Sequence, residues 1–216
     1  MTKKLRCAIF ISGSGSNMEA IARACIEGLI PAEVVVVMSN KADAYGLERA
    51  KNFGIPAIVV EHKKFKDRVE HEKEIIKQLE PYKPIELVCL AGYMRVVTPY
   101  LINHFYNKEF NLPGVMNIHP ADTRAYQGEH GYEFAMGLLP NTKRLDKTWI
   151  TVHLVDPGVD TGPIIRQAPV DIYPDDTIDT LSSRGLKIEH QVYPDCVRLY
   201  AERKLKIEGN KVKILE

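Results

Sequence analysis

The 216-residue sequence is short of the features that mark several whole classes of protein. Its four cysteines, Cys7, Cys25, Cys89 and Cys196, are scattered and form no Cys-x-x-Cys pair. That spacing argues against a disulfide framework or a compact thiolate metal site, and the thiols are expected to be reduced core residues of a cytoplasmic protein. The seven histidines include no His-x-x-x-His pair, so no metal is expected. No apolar run nears the roughly 20 residues that span a bilayer. The first apolar stretch is interrupted by Ser12-Gly13-Ser14-Gly15 too soon for a signal peptide. An excess of one charge is missing too, with 29 Lys and Arg against 28 Asp and Glu. No strong field therefore attracts nucleic acid or an anionic membrane; small-molecule partners and a monomer or homodimer are expected. There is no internal repeat, low-complexity tract or linker, so a single domain over residues 1–216 is expected.

What is present is an α/β pattern. Continuous apolar runs at 7–11, 34–38, 57–60 and 85–91 alternate with helical spacing at 18–26, 45–53 and 68–79. Strands apolar on both faces and separated by helices predict a Rossmann-like, mainly parallel twisted sheet with helices on both faces. After Gly92 the pattern predicts a helix at 98–105 and a short strand at 115–118. The alternating stretch 148–154 and the run 163–170 predict a mixed C-terminal part with differently directed strands. Residues 177–205 form the longest helical segment, which Gly185 and Pro194 are expected to bend or divide. A small hairpin should close the chain at 207–215.

Two constellations carry chemistry. Ser12-Gly13-Ser14-Gly15-Ser16-Asn17 lies between a strand and a helix, where free N–H groups and the positive helix end receive an anion. It lacks the Gly-Lys-Ser/Thr of a Walker A loop. Met18 stands where a dinucleotide fingerprint has its third glycine, so a phosphomonoester suits it better. The second constellation is Asn117-Ile118-His119-Pro120 with Asp160. Side chains two apart on a strand share a face, so an amide and an imidazole converge on one point, as an oxyanion requires. Asp160 is placed to orient His119 or to accept a proton through water. An imidazolium at His119 would make the rate decline at high pH. Taken singly, a histidine after a strand also suits a structural role, and an aspartate beside glycine plain turn chemistry.

With these stretches the chain resembles the folate-dependent formyltransferases. Also matching are Ser39-Asn40-Lys41-Ala42-Asp43, Leu90-Ala91-Gly92-Tyr93-Met94-Arg95 and the segment from Val152 to Ile165 that contains Asp156-Pro157-Gly158-Val159-Asp160-Thr161-Gly162-Pro163. The resemblance implies transfer of a formyl group from 10-formyltetrahydrofolate to the amine of glycinamide ribonucleotide, in purine synthesis, with no tightly bound cofactor. It implies catalysis by Asn117, His119 and Asp160. Gly15, Ser16 and Asn17 would hold the substrate phosphate, Pro120 would flank the acceptor and Glu189 would bind the ribose hydroxyls. Met94, Arg95 and Val97 would line the folate pocket, and Arg68 would meet the acidic tail of the folate. A phosphate-binding half at about 1–105 and a catalytic, folate-binding half at about 106–216 follow. A formyltransferase for another small amine, such as a sugar nucleotide, and a catalytically silent nucleotide-binding module are the alternatives. The family usually continues His-Pro with Ser-Leu-Leu-Pro, whereas this chain has Ala121-Asp122-Thr123-Arg124 and then a polar loop to Tyr132. Asp122, Arg124, Glu129 and His130 are there candidates for contact with a different or additional acceptor group.

Overall fold

Seven strands form one sheet in the computed structural model, which describes residues 3–216. In chain order they are β1 (Leu5–Ile11), β2 (Ala32–Ser39), β3 (Ala57–Val59), β4 (Leu87–Leu90), β5 (Val115–His119), β6 (Lys147–Leu154) and β7 (Ile164–Asp171). The spatial order is β3-β2-β1-β4-β5-β6-β7. β1 to β5 run parallel, while β6 and β7 are antiparallel to their neighbours. The expected mainly parallel sheet with a mixed C-terminal part is thus what forms. The terminal hairpin pairs β8 (Leu205–Glu208) with β9 (Lys211–Ile214) as a separate two-stranded sheet.

Alternation along β1 shows why both faces need cover. Cys7, Ile9 and Ile11 enter one core with Met18, Ile21, Ala50, Tyr193 and Val197. Those partners come from α1 (Ser16–Ile26), α2 (Gly46–Asn52) and α6 (Ile178–Ala201). Ala8 and Phe10 enter the opposite core with Ile75, Leu79, Leu101 and Ile102, from α3 (Arg68–Leu79) and α4 (Pro99–His104). A smaller third cluster joins α5 (Gly131–Ala135) to β6, β7 and the start of α6.

α6 is not divided at either breaker: it runs for 24 residues through both Gly185 and Pro194. Its stripe of Leu181, Glu189, Tyr193, Cys196, Val197 and Tyr200 is buried along the whole length, and that packing outweighs the local cost of the two breakers. The Tyr193 hydroxyl, fully buried, faces the carbonyls of Met116 at 2.9 Å and Leu90 at 3.2 Å, and so ties α6 to the ends of β4 and β5. Tyr193→Phe leaves those carbonyls without that donor and is expected to cost about 1–2 kcal/mol, measurable by urea denaturation. Among the described residues no helix is long and apolar enough to cross a membrane.

Candidate active site

The strand order reverses between β1 and β4, the place where open α/β sheets leave a crevice beyond the strands' carboxyl ends. Ser12 knits that edge together. Its N–H donates to Gly92 O at 3.1 Å, and its hydroxyl donates to Asn40 Oδ1 at 2.6 Å while accepting from Met94 N at 2.8 Å. The glycine turn is shaped by close backbone approach. Gly15 sits at φ 73° as the N-cap of α1, and a Cβ there would stand 2.6 Å from Gly46 Cα. The first bond into the helix runs from Glu19 N to Gly15 O at 2.9 Å. The N–H groups of Ser16, Asn17 and Met18 precede it and lack intrahelical acceptors. The Asn17 side chain donates to Glu189 Oε2 at 2.6 Å, and its own Oδ1 is buried with no partner. Gly15, Ser16, Asn17 and Glu189 therefore come together, although Glu189 lies 172 residues from Asn17 in sequence.

Asn117 and His119 leave β5 toward Asp160. Asn117 Nδ2 donates to Asp160 Oδ1 at 3.1 Å, and His119 Nδ1 lies 3.5 Å from Asp160 Oδ2. Asp160 is held at φ 52°, a left-handed conformation that aspartate tolerates better than most residues. The turn before it is set by Asp156 Oδ1, which accepts from Gly158 N at 3.0 Å and Thr161 Oγ1 at 2.6 Å. Asp160 Oδ2 also accepts from Gly128 N at 2.9 Å, which pins the polar loop to this carboxylate.

A further member was not apparent in the sequence. His153 on β6 lies opposite Asn117 in register, fully buried, with Nε2 3.3 Å from Asn117 Nδ2 and 3.5 Å from Asp160 Oδ1. Its Nδ1 faces Leu154 O at 3.0 Å. A proton on Nδ1 then leaves Nε2 to accept from Asn117. Only the antiparallel pairing of β5 with β6 creates this contact.

The charges follow from this packing. Burial pushes the Asp160 carboxyl up, but the facing His153, the charge of His119 and the Gly128 N–H outweigh it and hold the group below its usual range. Burial lowers the His119 imidazole below 6.5 and dominates the opposing pull of Asp160. That direction favours the neutral ring over the imidazolium considered from sequence. With its proton on Nδ1 toward Asp160, Nε2 carries a lone pair, and that atom is buried without a partner. An unsatisfied nitrogen beside an amide and a carboxylate marks a candidate position for a reacting group.

The remaining candidates divide. Met94 is 65% exposed at the crevice and Arg95 is half-buried, while the Val97 side chain lies in the core and Val96 beside it is the exposed one. Arg68 is exposed at the first position of α3. Pro120 is half-buried, with its carbonyl against Gly131. Asp122 and Arg124 engage each other and Gln167 on β7, and His130 faces Glu133 at 3.1 Å. Gln167 also donates to Thr151 Oγ1, so this cluster clamps the start of the loop onto β6 and β7. Among the described residues no His, Cys, Asp and Glu cluster suits a metal ion.

Residues 5–197 match the formyl transferase family. The chain is 37% identical over 205 residues to phosphoribosylglycinamide formyltransferase of Haemophilus influenzae, covering 95% of this chain and 91% of that protein. It is 36% identical to a part of the human trifunctional purine biosynthetic protein adenosine-3, covering 96% of this chain and 19% of the human one. The solved structure of glycinamide ribonucleotide transformylase 1 from Symbiobacterium toebii superposes with a TM-score of 0.91 at 39% identity, covering 100% of this chain and 96% of that one.

Proposed function

The chain belongs to the formyl transferase family, and from that premise we propose that it transfers the formyl group of 10-formyltetrahydrofolate to the primary amine of glycinamide ribonucleotide in purine synthesis, without a tightly bound cofactor. The observation that carries this reading is the unpartnered His119 Nε2 set beside Asn117 and Asp160, with one segment of chain touching both Asp160, through Gly128 N, and Glu189, through Tyr132. Gly15, Ser16 and Asn17 hold the phosphate at the N-terminus of α1. Glu189 takes the ribose hydroxyls and Pro120 flanks the acceptor. Met94, Arg95 and the backbone at Val97 line the folate pocket, and Arg68 meets the acidic tail.

In this site the amine nitrogen bonds to the formyl carbon and the carbonyl electrons move onto oxygen. The neutral His119 Nε2 takes the proton that the amine loses, and the imidazolium so formed faces the new oxyanion with Asp160 balancing its charge. Asn117 supplies the second donor by sharing the N–H that rests on His153, the longer of its two contacts at 3.3 Å. The intermediate collapses as the bond to folate N10 breaks, and N10 receives the proton. Purified protein given both substrates should yield the formylated ribonucleotide and tetrahydrofolate in equal amounts. Formate release without acceptor formylation, or no reaction, would overturn the proposal.

The donor side has its own support. Glu72, buried on α3, accepts from Thr98 N at 2.7 Å and also from the Thr98 hydroxyl, so it anchors the far end of the Met94–Val97 segment. Glu72→Gln replaces an acceptor with a donor there. The expected result is a rise in KM for the formyl donor of roughly three- to tenfold, with kcat and acceptor KM nearly unchanged in steady-state kinetics.

A further inference from the structure

Tyr132 ends the polar loop that begins at His119-Pro120, and its phenol reaches across to α6. There its hydroxyl donates to Glu189 Oε1 at 3.3 Å. The two oxygens of this buried carboxylate are held with different strength. Oε2 is tight to Asn17 at 2.6 Å, whereas Oε1 is farther from its donor than the usual O–H···O range of about 2.5–3.0 Å. Oε1 therefore has room for a stronger donor. Gly185, one turn before Glu189 on the same face of α6, is what admits the phenol, since a Cβ there would collide with the Tyr132 hydroxyl.

We infer that Tyr132 is a positioning residue that sets the acceptor site's preference for ribose over deoxyribose, by holding Glu189 so that both carboxylate oxygens face a sugar diol. The inference rests on the proposed role of Glu189 at the ribose. Asn17 alone fixes only one oxygen, and a carboxylate anchored at one oxygen rotates about that bond. The phenol supplies the second anchor and is shared with the incoming hydroxyl rather than displaced by it. The ribose hydroxyl then adds a short contact to a held Oε1 that the deoxy sugar cannot make. The same loop gives Gly128 N to Asp160, so the segment touching the recognition carboxylate also touches the catalytic one.

The test is calorimetric titration of the full chain, without folate, by ribose 5-phosphate and by 2-deoxyribose 5-phosphate. The natural chain is expected to prefer ribose 5-phosphate about tenfold. Tyr132→Phe, which keeps the ring, should narrow that preference to within about twofold while leaving the deoxy sugar's affinity unchanged. Gly185→Ala, which excludes the phenol, should do the same. A full preference retained in Tyr132→Phe, or no preference in the natural chain, overturns the inference. Formyl transfer to glycinamide ribonucleotide is assayed separately on the same preparations. A narrowed preference without turnover sinks the proposed function and leaves this inference standing, and turnover with an unchanged preference does the reverse.

Discussion

His119→Ala is expected to lower kcat about 10²- to 10³-fold, the cost of removing one oxyanion donor, while the affinity for glycinamide ribonucleotide changes by less than about threefold. The asymmetry follows from geometry. His119 Nε2 has no partner in the free protein, so its removal breaks no resting contact at that atom. The residues proposed to hold the phosphate and the ribose lie on α1 and α6 instead. The pH dependence separates this mechanism from one that needs a resident imidazolium. Burial depresses the His119 pKa below 6.5, so the neutral ring that accepts the amine proton is populated at neutral pH and lost as pH falls through that value. Because the shift belongs to the free protein, kcat/KM should drop on the acid side through an inflection below 6.5 that His119→Asn abolishes. The acceptor amine titrates nearer the ordinary α-amino range, about 7.7–8.0, and any effect of it persists in the variant. A profile in which His119 governs a decline at alkaline pH would reject the neutral-base step.

Asp160 carries the second large effect, because one carboxylate serves Asn117, His119 and the Gly128 N–H together. Asp160→Asn keeps a side chain that tolerates φ 52° but loses the charge that balances an imidazolium. A fall in kcat of about 10²- to 10⁴-fold with little change in melting temperature is expected, the upper end matching removal of a comparable carboxylate beside a catalytic histidine. Asp160→Ala should lose similar activity and in addition about 1–2 kcal/mol of stability, since alanine is strained in the left-handed region. Thermal denaturation beside steady-state kinetics distinguishes the pair. Equal stability losses in both variants would mean that the carboxylate's contacts, rather than its backbone conformation, maintain the turn.

The features legible in the sequence are those with local causes. The apolar run ending at Ile11 and the glycines after it place β1, the turn and α1, and α3 occupies 68–79 as its periodicity requires. Asn117 and His119 are two apart on one strand, so their convergence is already implied by the period of a strand. Contacts made across the sheet are not written locally. His153 lies in an alternating stretch that reads only as strand, and its place beside Asn117 depends on the register of β5 against β6. The continuity of α6 likewise depends on packing that overrides Gly185 and Pro194, and Gly185 has its own reason in the Tyr132 phenol. α5 escaped notice because it is five residues long and opens on His130 at φ 72°. The lowering of the His119 pKa is a consequence of burial, which no motif encodes.

Whether the acceptor amine belongs to a phosphorylated ribosyl compound is decided by letting glycinamide ribonucleotide and an amino-sugar nucleotide compete for one limiting pool of 10-formyltetrahydrofolate. If the glycine turn and Glu189 hold a ribose monophosphate as proposed, kcat/KM favours glycinamide ribonucleotide by at least about a thousandfold. Comparable values, or a preference for the amino-sugar nucleotide, would contradict that assignment.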